Sequence, residues 1–499
     1  ESLPPEDETW SSVGAMIEEF LAAPEYPEGT QRYDGIGRAT GGIWRSRVLG
    51  VVPSTVMAAP LATTWASKQE TAGNIVEGWP PSFGMVIGEK SVTKLGSLPK
   101  AHASARSIFL DALSPLAVIE LQPVVENTIE KCIPRWEKFA DSGEQETTML
   151  KEVYGITLEI ISRCFLGAYA TEEVLEDLNR VVPVLANGIL SVPIRFPWPL
   201  NKFPTFSFGL AMDARGELVQ ILAQVLSERR SDIEAEGERR QKSGGVIDSF
   251  LEMQAKQITD GVLANGIKFD DDFVIDNLVM ALFAGFDTTS VSLTRTLQLL
   301  ATPDAEGMLD KLREELGASA TVKVENNLDT NEKITKTVVK GTSGIFAMFP
   351  LLESVILESS RMYPVVPGAF RKVLKDISFN NFKIPAGTTI SWNVLSGYRA
   401  DSLYPEPKKF CPFRFLHEGK SENVADIGHE QPRPPMWGYG RHMCPGRELA
   451  KMEIIVFFKM FLEKFNYTVV AGQSLKNTLP VNAPRDKLRV VLEKRIKSG

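Results

Sequence analysis

The chain has 499 residues, 43% apolar and 24% charged, a globular balance that excludes a disordered or fibrous protein. Its formal charge of -8 argues against nucleic acid as the main partner, since that usually requires a basic face. The four cysteines, Cys132, Cys164, Cys411 and Cys444, have no paired spacing, and the four histidines show no His-Glu-x-x-His pattern, which argues against a disulfide scaffold and a zinc module.

The chain opens at Glu1 on a polar Pro/Glu/Asp stretch, which reads as a processed or truncated form. Val13, Met16, Ile17, Phe20 and Leu21 share one face of a helix predicted over 11–22. Residues 43–58, rich in Val, Ile and Trp, predict two strands around Gly50 and Pro53. Helical spacing then dominates, with helices predicted near 102–112, 119–140, 146–165, 172–187, 207–236, 246–257 and 270–301. Pro193, Pro197, Pro199 and Pro204 mark a loop in this run. The polar stretch 318–344 predicts an exposed insertion, and helix returns at 345–362. Short strands are expected over 370–394, turning at Pro385-Ala386-Gly387, followed by an irregular stretch from 400 to 443 and a last helix over 445–465. No uninterrupted run of ~18 apolar residues occurs, so no membrane-spanning segment is expected. The fold class is mainly α, a single large helix-rich domain with small β-sheets.

Four motifs carry chemistry. In Trp437-Gly438-Tyr439-Gly440-Arg441-His442-Met443-Cys444-Pro445-Gly446, two glycines permit a tight bend, and Cys444 precedes a helix whose first residue is expected to be Pro445. A helix N-terminus lowers a thiol's pKa, and a thiolate there suits an axial heme ligand. Alone, a single cysteine in apolar surroundings is also read as inert core. Glu358 and Arg361, three apart on one helical face, form either a surface pair or a buried one, and Pro412-Phe413-Arg414-Phe415 offers a second arginine. Ala284-Gly285-Phe286-Asp287-Thr288-Thr289 interrupts a long apolar helix with residues that disfavour a buried helix interior. It reads either as room over a flat ligand with a proton path, or as a packing glycine with satisfied polar neighbours.

In this order and spacing, the motifs resemble those of the cytochrome P450 superfamily of heme-thiolate monooxygenases, from about residue 40 to the end. Two features depart from the family's pattern: Trp437 stands where Phe is usual, and the stretch 318–344 is longer. The resemblance implies a cytochrome P450 fold, with an N-terminal segment over 1–40 and a heme domain over 41–499. It implies heme b (iron protoporphyrin IX), with Cys444 as the metal ligand and Trp437, Arg441, Gly446, Arg371, His102 and Arg106 around the cofactor. Arg441, Arg371 and the pair His102 and Arg106 would meet the heme propionates. Asp287 and Thr288 would supply protons for dioxygen reduction, and Glu358, Arg361 and Arg414 would brace the cysteine loop.

Gly78-Trp79-Pro80-Pro81-Ser82, Leu113-Ser114-Pro115, Ser191-Val192-Pro193-Ile194, Ala214-Arg215 and Ser227-Glu228-Arg229-Arg230 resemble the branch holding retinoic acid, sterol, brassinosteroid and abscisic acid hydroxylases. The implied reaction is hydroxylation or epoxidation of an isoprenoid, sterol-like or retinoid-like lipophile, using O2 and two electrons from a redox partner, either a reductase or a ferredoxin. The alternatives are a heme-thiolate isomerase or dehydratase of a peroxide, against which Asp287 and Thr288 count, and a non-catalytic heme-binding protein. Candidate pocket residues are 76–87, Leu282, Phe283, Phe286, Val365, Val366 and Pro367. Arg433, Arg441, Arg447, Lys451 and Lys459 are expected to form a basic docking surface for the electron donor. The aromatic and basic loop 193–208 is expected to touch a membrane surface without crossing it. The expected protein is an intracellular monomer, associated with endoplasmic reticulum or plastid membranes, with any anchor or transit segment missing from this chain.

Overall fold

In the computed structural model, Val48 stands opposite Val52 in an antiparallel hairpin of β1 (Ile43–Val48) and β2 (Val52–Ala58), the two strands expected around Gly50 and Pro53. The structure describes residues 3, 43–48, 52–58, 61–143, 145–191, 193–195, 207–236, 245–260, 267–318, 344–366, 368–394, 398, 403–416, 433–434, 436–473 and 481–495. The helix expected over 11–22, the insertion 318–344 for nearly all its length, and 196–206 of the proline-rich loop lie outside them.

After the hairpin come α1 (Leu61–Thr71), β3 (Ile75–Glu77), α2 (Pro81–Ile87) and α3 (Pro99–Ala112). The helix expected over 119–140 is two, α4 (Pro115–Glu130) and α5 (Ile133–Asp141), because Pro134 lacks the N–H that would continue the first and suits the opening turn of the second. A second correction falls at β4 (Glu146–Thr148), expected as helix. It instead pairs with β10 (Arg489–Lys494), Thr148 opposite Arg489, and β-branched Thr147 and Thr148 favour the strand.

The helical body continues through α6 (Met149–Leu166), α7 (Glu172–Asn187), α8 (Phe208–Glu236), α9 (Ile247–Asp260) and α10 (Asp271–Leu300). Asp270 caps α10 by accepting the Phe273 N–H at 3.1 Å, with Asp271 and Asp272 in the first turn suiting the helix dipole. α10 is buried through Phe273, Leu278, Leu282, Phe286, Leu293 and Leu297 and packs against α6. Gly285 is required by that packing, because a Cβ there would stand 2.5 Å from Ile161 Cγ1. By length and hydropathy α10 could cross a bilayer, a property missed by looking only for unbroken apolar runs; its apolar window is 72% buried here, as a core helix would be.

The chain closes through α11 (Met308–Ala318), α12 (Pro350–Met362), β5 (Phe370–Val373), the small hairpin of β6 (Ile377–Phe379) and β7 (Phe382–Ile384), β8 (Thr389–Asn393), α13 (Arg447–Lys464) and β9 (Phe465–Val469). One sheet has the order β1-β2-β8-β5-β3, with β2 and β8 parallel and its other pairs antiparallel; a second has the order β4-β10-β9. α13 begins at Arg447 rather than Pro445, with Gly446 as its N-cap, so Cys444 stands one short turn before the helix.

Candidate active site

A cavity of about 440 Å³ lies between α10 and the loop entering α13, and Cys444 lines it. The loop is shaped by Gly438 and Gly440, whose φ values of 75° and 60° favour glycine. At Gly440 a Cβ would also stand 2.7 Å from Ser67 Oγ. The Cys444 N–H closes the bend by donating to Trp437 O at 2.7 Å. Burial pushes the Cys444 thiol up, against the Gly446 N–H and the charges of Arg447, Arg106 and Lys451. The helix end alone therefore does not make the thiolate; a metal cation on sulfur would.

Small side chains line both sides of the loop–helix boundary: Ala281, Ala284 and Gly285 from α10, and Gly446 and Ala450 beside the cysteine. A Cβ at Gly446 would stand 4.0 Å from Cys444 Sγ. Thr288 lines the cavity, its hydroxyl donating to Ala284 O at 2.7 Å. Asp287 is not among the lining residues. It is buried against α6, where the Tyr154 hydroxyl donates to its Oδ1 at 2.8 Å. Asp287 is turned about 100° around the helix from Thr288 and faces α6 instead.

Burial outweighs the Tyr154 hydrogen bond and pushes the Asp287 carboxyl up to about 6. A carboxyl raised on folding stabilises fully below its unfolded pKa of ~4, and that stability is lost as pH rises to about 6, roughly 3 kcal/mol in all. Asp287→Asn is accordingly expected to melt above the unmodified protein at pH ~7.5, with the gap closing toward pH ~4.5. A melting difference independent of pH would contradict this environment. Glu453, on α13, is a second buried carboxyl lining the cavity. It takes a hydrogen bond from Thr289, its Oε2 has no partner among the described residues, and burial pushes it up to about 8.

The polar part of the wall gathers His102, Arg106, Arg371, His442, Glu70 and Glu77. Arg371 donates to Glu70, and Arg106 to Met443 O. The His102 and His442 rings lie 5.2 Å apart, and burial first, then neighbouring charge, lowers both imidazoles to about 4. Arg441 does not line the cavity: it is one-third exposed, and its Nε donates to His442 Nε2 at 3.2 Å. His442 stands at the wall where Arg441 was expected. Trp437 lines the wall, with Lys451 Nζ 5.9 Å from its ring.

These residues fit heme b. The slot has a thiol, flanking small residues, and Arg106, Arg371, His102 and His442 as donors to its two carboxylates, although Glu70 already engages Arg371. Among the pocket candidates, Glu77, Trp79, Val365 and Val366 line the cavity; Leu282, Phe283 and Phe286 belong to the core packing of α10, and Pro367 lies outside the described residues.

Glu358 and Arg361 are fully buried with a 2.7 Å contact, and Arg414 Nε reaches Glu358 at 3.0 Å. Arg361 also donates to Tyr398 O and Pro407 O at 2.9 and 2.8 Å, so the pair braces three segments. Lys451, expected on the docking surface, is 1% exposed and paired with Glu448 at 2.9 Å. Its position on α13 turns it inward. Tyr154, Glu453, His442 and Glu70 escaped the sequence reading. His442, two residues before the cysteine, was the one with a local signal.

A half-buried cysteine facing a slot beside a long core helix, in a helix-rich chain with small sheets, defines the heme-thiolate class. The cytochrome P450 family model matches residues 30–491, and the chain belongs to that family. It is a monooxygenase of the oxidoreductase class, and the family's cofactor is heme b. Taxane 13-alpha-hydroxylase of Taxus cuspidata is 27% identical over 85% of this chain and 78% of its own length. Abscisic acid 8'-hydroxylase 1 of Arabidopsis thaliana is 25% identical over 99% and 91%. The solved structure of retinoic acid bound cyanobacterial CYP120A1 superposes with a TM-score of 0.75 at 22% identity over 99% of each chain, a likeness of fold.

Proposed function

We propose that this enzyme hydroxylates an isoprenoid-derived lipophile, with Cys444 as the axial ligand of the heme iron. The observation that carries the reading is the single cavity wall joining Cys444 and Thr288 to the apolar side chains of Trp79, Phe109, Met280, Val365 and Val366. Such a wall removes apolar substrate surface from water at roughly 25 cal/mol per Å² and leaves few polar groups to orient it. The relatives named taxane and abscisic acid hydroxylases, and beta-amyrin 11-oxidase of Glycyrrhiza uralensis, support an isoprenoid-derived substrate.

The heme, when bound, supplies dioxygen activation. The chain supplies the rest. Arg106, Arg371, His102 and His442 would hold the heme carboxylates, with Trp437 and Gly446 on the same cavity wall. Thr288 offers a hydroxyl at the cavity surface that can leave Ala284 O to donate into the site. Asp287 accepts from Tyr154 away from the cavity, and Glu453 holds a proton at neutral pH. Electrons come from a separate donor, for which Arg433, Arg441 and Arg447, all partly exposed, form the basic approach. The aromatic and basic residues of 193–208 suit a membrane surface, from which a lipophile would enter. The test is a binding screen on the heme-loaded chain with sesquiterpenoids, diterpenoids, triterpenoids, retinoids and, as controls, fatty acids. A saturable Soret shift with isoprenoids is expected; shifts with fatty acids alone would redirect the substrate class.

A further inference from the structure

The segment that follows α12, Tyr363-Pro364-Val365-Val366-Pro367, carries Pro364, Val365 and Val366 into the cavity wall. Its two prolines have no N–H to pair it as a regular strand, so its carbonyls take donors from elsewhere. Asn482 supplies two of them. Its backbone N–H donates to Val365 O at 3.1 Å, and its side-chain amide donates to Pro364 O at 2.5 Å. Asn482 is buried at the centre of a tight turn, closed by the Ala483 N–H on Val481 O at 2.8 Å. It stands behind the cavity wall rather than in it. Its own carbonyl accepts from Arg295 Nε at 2.9 Å. Arg295 is fully buried on α10, about two turns beyond Thr288. Its Nη1 donates to Gln298 Oε1 at 2.7 Å, and its guanidinium carbon lies 4.4 Å from the centre of the Tyr363 ring. The helix that presents Thr288 to the cavity therefore also anchors the segment carrying Val365 and Val366.

We propose that Asn482, anchored by Arg295, is a positioning residue that sets the place of Val365 and Val366 relative to Thr288, and so selects which lipophiles fit the cavity. This deepens the reading of the cavity as a substrate site and rests on it. The asparagine amide is specific to the task. Aspartate has the same shape but turns only acceptors toward Pro364 O, and alanine reaches nothing. Loss of the amide strips Pro364 O of this donor, while the backbone bond to Val365 O remains. The wall then loosens without loss of the turn that holds residue 482.

The test uses the heme-loaded full chain and two azoles that bind the iron. Imidazole touches little of the wall, and a biphenylylimidazole extends along it; both are read by the Soret shift. Asn482→Ala is expected to keep the imidazole affinity and the heme content, and to weaken the larger azole by at least roughly fivefold. In a Val365→Ala background the same substitution is expected to add little, because both residues act through one contact. Hydrogen exchange at the 482 amide of the unmodified chain, which does not depend on how variants fold, should slow with the larger azole and not with imidazole. The proposal is overturned by an unchanged ratio of the two affinities, by equal loss of both azoles, by full additivity with Val365→Ala, or by exchange indifferent to the larger azole. Neither azole is an isoprenoid, so the outcome does not depend on the substrate class. The reduced carbon monoxide band is recorded on the same samples, so a failure of the heme assignment is seen separately.

Discussion

Arg361→Ala is expected to give insoluble or heme-free protein rather than a folded, slower enzyme. Its guanidinium is fully buried, pairs with Glu358 at 2.7 Å and donates to two backbone carbonyls near 2.9 Å. Removing one member of such a pair costs about 3–5 kcal/mol because the other charge remains buried. That is a large share of a total stability of roughly 5–15 kcal/mol. Arg414 still touches Glu358 at 3.0 Å, but it cannot also reach the carbonyls of Tyr398 and Pro407. Arg361→Lys is expected to fare little better, since one ammonium cannot reproduce the planar fork. Soluble yield, heme content and thermal melting are the measurements, and normal values for Arg361→Ala would show that the pair does not hold these segments together.

Cys444→Ser is expected to keep the fold and lose the chemistry. Serine has nearly the same size, and the backbone bond from residue 444 to Trp437 O does not involve the side chain. An alcohol, however, does not supply the thiolate whose electron donation favours O–O cleavage. The reduced carbon monoxide complex should lose its long-wavelength Soret band, and turnover should fall to background. Retention of the band in Cys444→Ser would place the iron on another residue.

Local periodicity made most helices legible, to the residue for 172–187, because each buries one stripe of a regular spacing. Where the reading failed, a competing local rule had won. Pro134 restarted a helix, and Thr147 and Thr148 joined a sheet whose other strand lies more than 300 residues away. The cysteine loop and the Glu358–Arg361 pair were legible because their spacing is short and chemically specific. Side-chain direction was not. Asp287 and Thr288 are neighbours in sequence, but one meets Tyr154 and the other the cavity. Arg441 and His442 divide in the same way between the outer face and the wall. Lys451 looked like a surface charge until Glu448, one turn back, proved to hold it inside. Glu70 could not have been assigned, since only the folded chain brings it to His442.

The most direct test is turnover under ¹⁸O₂, with an electron donor and an isoprenoid that shifts the Soret band. The account predicts a hydroxylated product carrying one labelled oxygen, consumption of reducing equivalents, and loss of both in Cys444→Ser. Product formed without electron consumption, or with its new oxygen drawn from water, would contradict it.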